Sequence, residues 1–242
     1  MSSATHPPAV SPRVGALCAL AAMLSIAAGI AVSWPGYPGY APWLNYISEL
    51  ARPLNPSAWA FQAGLAAAGV LFVPFGVALG HLLPGRDGRT ASRLVTFAGP
   101  MLSLTGLFSL ARPVPHFACA AVMFASAIFA ELYVARAIGR MQGNGLLSFA
   151  RRWALGMFWF HTTAAIGGFV YSGIATRHMQ VSSASQMLLD APPYQQLTLG
   201  AGGPTINPVA IMEWVFLLTA LILPLGASVR MMGWSHEHEH EP

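Results

Sequence analysis

Four ionisable side chains lie within long apolar stretches of the sequence: His116, Glu131, His161 and Glu213. An ionised group in apolar surroundings is unfavourable unless it is paired or hydrogen-bonded, so each of these needs a partner. Carboxylates and imidazoles in such positions can act as general acids and bases, or hold a metal-activated water. They can equally form hydrogen bonds that join helices. The residue types alone leave both roles open.

A second polar group precedes the apolar stretch that begins near residue 58. Residues 42–52 read PWLNYISELAR, and as a helix they place Trp43, Ile47 and Leu50 on one face. The other face carries polar side chains at helical spacing: Asn45, Ser48, Glu49 and Arg52. This pattern predicts a short amphipathic helix, with its polar face toward Gln62, His116, Asn207 and Glu213. The alternative is a local Glu49–Arg52 ion pair with no further role.

The overall composition decides which class of protein holds these groups. Hydrophobic residues make up 55% of the 242 residues, and charged residues only 8%. A soluble domain carries roughly 25% charged residues, so the chain cannot cover a surface that faces water. The high apolar content also excludes disorder. The composition therefore predicts a polytopic membrane protein.

An apolar span of about 20 residues crosses the hydrocarbon layer of a membrane. Six stretches qualify: residues 14–34, 58–83, 94–111, 116–138, 153–176 and 208–229. The first follows Arg13 as a signal peptide would, but its length favours an uncleaved helix. The sequence thus predicts an all-α fold of six transmembrane helices, with a short interfacial helix in the first outer loop. This division gives three parts: a cytoplasmic segment 1–13, a transmembrane domain 14–230 and a His/Glu-rich cytoplasmic tail 231–242.

The twelve basic residues, all of them arginine, are distributed unevenly between the segments that connect these stretches. The segments on one side hold only Arg52, Arg112 and Arg177, and those on the other side hold the rest. The positive-inside rule then places both termini in the cytoplasm and the long loops 35–57 and 177–207 outside. We expect a multi-pass protein of a bacterial inner membrane. No nucleic-acid partner is expected, because the arginines form no clustered basic face.

Helical spacing groups small residues with the polar residues of two predicted spans. His116, Ala120, Ala127 and Glu131 share one stripe, and His161, Ala165, Gly168 and Ser172 share another. Small residues along a stripe let a second helix approach closely. We therefore expect Glu131 and His161 to point toward other helices, in the inner half of the membrane. An ion pair between Glu131 and Arg136 is the alternative.

The outer mouth of the predicted bundle is the candidate site. Glu49, His116 and Glu213 are its candidate catalytic residues, and we expect them to lie close together. Five further side chains are candidates for binding a ligand: Asn45, Ser48, Arg52, Gln62 and Arg112. The outer arginines would attract an anionic head group, and the long loop 177–207 could act as a lid. The sequence identifies neither a metal nor a cofactor.

Three short motifs resemble the Frag/DRAM/Sfk-like membrane proteins and related bacterial families of unknown function. These are Tyr46-Ile47-Ser48-Glu49-Leu50, His116 at the head of the fourth span and Glu213-Trp214 in the sixth. The resemblance covers residues 14–230 and implies a six-helix bundle with a role in lipid organisation, lipid-anchor processing or stress response. It implies no defined reaction. Taken position by position, the resemblance points to Glu49, His116 and Glu213 as site residues. Ala51 departs from the glycine that many relatives carry after the acidic motif.

Three classes of function remain open. The first is a non-catalytic protein that binds a membrane lipid, and a homo-oligomer or a membrane-protein partner is a further option. The absence of a Gly-x-Ser-x-Gly or His-Glu-x-x-His motif favours this non-catalytic class. The second is an enzyme acting on lipid head groups through Glu49, His116 and Glu213, with or without a metal. The third is a small transporter or proton relay that uses Glu131 and His161. A haem protein is a poorer fourth option, because His81, His116 and His161 lack an attachment motif.

Overall fold

The computed structural model describes residues 10–141, 145–178 and 207–238. Throughout these ranges the regular structure is helical, without a strand. The described ranges contain seven α-helices: α1 (Pro12–Ser33), α2 (Ala58–Leu82), α3 (Gly85–Leu107), α4 (Pro113–Ile138), α5 (Gly145–His178), α6 (Pro208–Ala220) and α7 (Ile222–His238). A 3-10 helix, Ile47–Ala51, lies in the loop between α1 and α2. The predicted all-α fold agrees with this architecture.

Local capping signals explain where two of these helices begin. The Ser11 hydroxyl accepts a hydrogen bond from the Val14 N–H and Pro12 occupies the first turn of α1. At α6, the Asn207 side chain accepts from the N–H groups of Val209 and Ala210. Serine and asparagine are favoured at this position because their oxygens satisfy N–H groups that lack a partner inside the helix. The dipeptide Asn207-Pro208 therefore forms a local start signal for α6.

The same dipeptide, Asn55-Pro56, precedes α2 but does not begin it. That helix begins at Ala58, after Ser57. The Asn55 amide instead donates to the carbonyl oxygens of Ser33 and Leu50, and its oxygen accepts from the Ser57 N–H. Asn55 thus ties the end of α1 to the 3-10 helix, a tertiary role that a dipeptide pattern does not encode.

Leu221 interrupts the last apolar stretch, which the sequence predicts as one continuous helix over 208–229. Pro224 explains the break, because proline has no N–H and its ring crowds the carbonyl one turn earlier. Pro74 and Pro100, by contrast, lie within the unbroken helices α2 and α3.

The helices pack as a closed ring in chain order. Each helix from α1 to α6 packs on the next helix along the chain, and α7 packs on α1. Glycines allow the closest of these contacts: a Cβ on Gly64 of α2 would lie 2.6 Å from the Ser25 carbonyl oxygen of α1. Small residues at such crossings let helix backbones approach closely.

Four segments are long and apolar enough to cross a membrane: Pro12–Ser33, Ala58–Leu82, Pro113–Ile138 and Val209–Gly233. The last of these comprises α6 and most of α7. The first turns of α3 carry Arg86, Asp87, Arg89 and Arg93, which lower its apolar character. The chain is therefore a multi-pass membrane protein, with four of the six predicted spans supported by length and composition.

The loop between α1 and α2 differs from the predicted interfacial helix. Only Ile47–Ala51 is helical, as a 3-10 helix, and Trp43 lies in a turn before it. Residues of both predicted faces are buried, with Leu50, Asn45 and Glu49 each 0% exposed. The loop fills one end of the helix ring instead of lying on its surface, because its polar groups find partners within the protein. We call this end the loop end.

Candidate functional site

A long apolar cavity of about 180 Å³ lies inside the helix ring. Residues from α1, α2, α3, α4, α6, α7 and the 3-10 helix line it, among them Phe75, Ala120, Phe124 and Leu217. At 1.5 Å per residue, the segment of α4 from His116 to Glu131 spans roughly 22 Å of its length. The cavity is therefore narrow in proportion to its length.

Within the described part of the chain, five polar side chains line this cavity: Ser48, Thr105, His116, Glu131 and Glu213. His116 and Glu213 lie near the first turns of α4 and α6, and Ser48 in the 3-10 helix, so the three lie at the loop end. Glu131 lies near the opposite end of α4. The cavity thus has one polar end, an apolar middle and a single carboxyl group far down its wall.

Glu213 joins α6 to the 3-10 helix at the polar end. Its Oε2 atom accepts a 2.8 Å hydrogen bond from the Ile47 N–H. The N–H and hydroxyl of Ser48 also interact favourably with this carboxylate. The first N–H groups of a helical turn have no partner within the turn, so they suit a carboxylate acceptor. Glu213 thus provides, from a distant helix, the hydrogen-bond acceptor that a capping side chain within the loop would otherwise provide.

His116 presents a defined edge to the cavity. Its Nδ1 atom lies 3.0 Å from the carbonyl oxygens of both Thr105 and Phe108. Because carbonyl oxygens only accept hydrogen bonds, Nδ1 carries the proton and donates to them. The Nε2 atom, which has no hydrogen-bond partner among the described residues, then keeps its lone pair. A histidine held in this tautomer is a hydrogen-bond acceptor on the cavity wall.

Glu49 lies in the wall behind the polar end and does not line the cavity. Its Oε2 atom accepts from the Tyr37 hydroxyl at 3.1 Å and from the Asn45 amide at 3.0 Å. Its Oε1 atom accepts from the Tyr46 N–H at 3.3 Å. Burial raises the pKa of the Glu49 carboxyl, and Arg52 and these hydrogen bonds oppose that rise. The candidate catalytic carboxylate is thus a buried structural acceptor within the loop.

The other predicted binding residues mostly hold the loop together. The Arg52 Nε atom lies 3.7 Å from Glu49 Oε2, which matches the alternative of a local ion pair. The Gln62 amide donates to the Ala51 carbonyl at 3.2 Å. Arg112 is exposed and does not line the cavity. Of the predicted mouth, the structure therefore brings only Ser48, His116 and Glu213 to one cavity.

An aromatic cluster supports the loop. The Tyr40 hydroxyl donates to the Tyr46 carbonyl and accepts from Trp214 Nε1. The rings of Trp34 and Tyr37 pack on Tyr40. Burial raises the pKa values of both Tyr37 and Tyr40. The Pro-Gly-Tyr repeats at 35–40 are the only local signal for this compact turn.

Glu131 and His161 form a hydrogen-bonded chain that joins three helices. His161 Nδ1 lies 2.9 Å from the Glu131 carboxylate, and His161 Nε2 lies 2.7 Å from the Thr219 hydroxyl. Glu131 is 5% exposed and His161 is 0% exposed. Arg136 pairs with Asp87 instead of Glu131. The sequence reasoning missed Thr219, because a threonine in an apolar helix usually bonds only to its own backbone.

A metal centre finds no support in the arrangement of these groups. Within the described ranges, no three side chains of His, Cys, Asp or Glu come together as ligands. The tail beyond residue 238, with its alternating His and Glu, lies outside those ranges, as does the loop 179–206 that was predicted as a lid.

The fold and the cavity define a helical, multi-pass membrane protein with an internal apolar chamber. A family model described as "Protein of unknown function (DUF998)" matches residues 19–189, and the chain belongs to this family. No curated protein and no solved structure matches the chain. The resemblance to Frag/DRAM/Sfk-like proteins is not confirmed, and the family that matches is one of unknown function, which is consistent with the related families of unknown function that the sequence resembles.

Proposed function

We propose that this protein binds a single-chain lipid, whose hydrocarbon tail occupies the long cavity while its head lies at the loop end. The observation that carries this proposal is the cavity itself, with its apolar middle and its polar end at Ser48, His116 and Glu213. An apolar cavity of about 150 Å³ stays dry and binds small hydrocarbons. A longer, narrower chamber inside a membrane protein suits one alkyl chain.

We further propose that six segments span the membrane, with α3 and α5 as the additional two and with both termini in the cytoplasm of a bacterial cell. Two serines of α3 support this assignment, because their hydroxyl groups are satisfied within the protein. The Ser92 hydroxyl donates to the Gly76 carbonyl and the Ser103 hydroxyl donates to the Ala66 carbonyl. The ring of helices also needs α3 and α5 to close, since they join α2 to α4 and α4 to α6.

The matched pair Ala120→Phe and Ala121→Phe tests lipid binding. Ala120 lines the cavity one turn from His116, whereas the neighbouring Ala121 is exposed on the outside of the ring. Wild-type protein extracted with its native lipids should carry a bound single-chain lipid, measured by mass spectrometry. Ala120→Phe should lose that lipid because the ring fills the chamber, and Ala121→Phe should keep it. Equal lipid content in all three proteins would contradict the proposal.

A second candidate function is a proton relay, and the Glu131–His161–Thr219 chain favours it. Groups that alternate donors and acceptors can pass a proton between them. Proteoliposomes containing a pH-sensitive dye would reveal such activity as proton flux that Glu131→Gln abolishes. Flux equal to that of empty liposomes would reject this candidate and leave lipid binding untouched.

A further inference from the structure

We propose that the head of the bound molecule is a primary ammonium group, so that the ligand is a long-chain amine and not an anionic lipid. This inference rests on the proposed function, since it assumes that the cavity takes an alkyl chain. It assigns the head group to the space between Glu213, His116 and Ser48.

The polar end of the cavity offers mostly hydrogen-bond acceptors. Glu213 presents a carboxylate that already accepts from the Ile47 N–H. His116 presents the lone pair of Nε2, because its Nδ1 proton is bonded to two backbone carbonyls. The Ser48 hydroxyl can accept or donate. An ammonium group, with three donors and no acceptor, complements such a set.

The arginine side chains that the structure describes near this end lie outside the cavity. Arg52 pairs with Glu49 behind the wall, and Arg112 is exposed at the start of α4 without an ion-pair partner in the described part of the chain. Among the residues that the structure describes, no arginine lines the cavity. The expectation of an anionic head group, which rested on the outer arginines, therefore does not fit the geometry. An anion at the polar end would meet Glu213, with the Glu49 carboxylate behind it, and like charges in low dielectric repel strongly.

Glu213 also lacks a counter-charge. Backbone N–H groups and Ser48 stabilise its carboxylate, yet no arginine forms an ion pair with it in the described ranges. A buried carboxylate without a cation is costly, and pairing with a cation lowers that cost. A ligand ammonium would supply the missing partner at the point where the cavity is polar.

Three probes of equal chain length test this inference: dodecylamine, dodecanol and dodecanoic acid. Each is titrated into the wild-type protein in phosphatidylcholine nanodiscs, with empty nanodiscs subtracted, and binding is measured by calorimetry. We expect the amine to bind at least about tenfold more tightly than the alcohol, and the acid to bind most weakly. Binding of the acid as tightly as the amine would overturn the inference while leaving the lipid-binding proposal intact.

Two carboxylate variants locate the effect. Glu213→Gln should bring the amine to the affinity of the alcohol, because it removes the charge and keeps an oxygen acceptor. Asp87→Asn, which changes a buried carboxyl that pairs with Arg136 and Arg140 and does not line the cavity, should keep the preference for the amine. An unchanged preference in Glu213→Gln overturns the assignment. If none of the probes binds to wild-type protein, the proposed function and this inference fail together. The order of affinities of the three probes is measured on wild-type protein, so it tests the inference even if a variant fails to fold.

Discussion

The Ile47 N–H donates a 2.8 Å hydrogen bond to the Glu213 carboxylate across 166 residues of sequence. The bond joins the first turn of the 3-10 helix to the sixth α-helix and closes the loop end of the ring. Asn207 reinforces the same junction, since its N–H donates to the Trp43 carbonyl and its amide donates to the Leu44 carbonyl. The polar end of the cavity therefore depends on contacts between the loop that follows α1 and the start of α6, two segments that are far apart in the chain.

Removing the Glu213 carboxyl should destabilise this junction. Glu213→Ala leaves the N–H groups of Ile47 and Ser48 without an acceptor, and a lost buried hydrogen bond costs about 1–3 kcal/mol. Glu213→Gln keeps an oxygen and should lose less. Thermal unfolding in detergent, followed by intrinsic fluorescence, measures both. A Glu213→Ala variant as stable as Glu213→Gln would show that the carboxyl does not hold the loop.

The stability of the loop should depend on pH through Glu49. Because burial raises the pKa of its carboxyl, the folded protein retains the proton at pH values where the unfolded chain has released it. Stability is then fully present below the unfolded pKa of about 4.3 and declines as the pH rises through the folded pKa.

Glu49→Gln cannot ionise and serves as the reference for this pH effect. The melting temperature of wild type minus that of Glu49→Gln should fall as the pH rises above the usual glutamate range. A difference that grows with pH would mean that Arg52 and the hydrogen-bond donors outweigh burial, so that the ionised form is favoured.

The Glu131–His161 pair should show strong coupling in a double-mutant cycle. Glu131→Leu alone leaves His161 buried without its acceptor, and breaking a buried pair typically costs about 3–5 kcal/mol. His161→Phe alone leaves the carboxyl unpaired. The double variant removes both groups and should be clearly more stable than the sum of the single effects predicts. Additive effects on the unfolding free energy would show that the two residues do not interact.

Gly64 and Gly156 provide a matched test of helix packing. A Cβ on Gly64 would lie 2.6 Å from the Ser25 carbonyl oxygen, so Gly64→Ala must push α1 and α2 apart. A Cβ on Gly156 meets nothing within 4 Å. Gly156→Ala should therefore be neutral or gain up to about 1 kcal/mol from helix propensity. Gly64→Ala should lower the melting temperature and Gly156→Ala should not, and equal shifts would contradict the close crossing.

Single cysteines test the proposed orientation. In a background without Cys18 and Cys119, a cysteine at exposed Leu54 should react with an impermeant maleimide added outside intact cells. A cysteine at exposed Arg89 should react only after the membrane is opened. Labelling of the Arg89 position from outside would reverse the topology that the arginine distribution predicts.

The membrane class and most helix positions follow from sequence, because both depend on local chemistry. Apolar content decides whether a segment prefers a membrane, and Asn207-Pro208 starts α6 through groups within three residues of each other. The interruption at Leu221 was not predicted, although Pro224, which breaks the helix, was recognisable as a source of a kink.

The site depended on tertiary structure. Helical spacing correctly placed His116 and Glu131 on one stripe of α4, but it cannot say which helix faces that stripe. The partner of His161 Nε2 is Thr219, which lies 58 residues away, and the partner of Glu213 lies farther still. Glu49, Asn45 and Arg52 looked like a polar face for a ligand, but the closed ring buried them against Tyr37 and one another. Sequence determined which side chains needed partners; packing of distant helices decided which partners they found, because contact between segments far apart in the chain is set by how the whole ring closes.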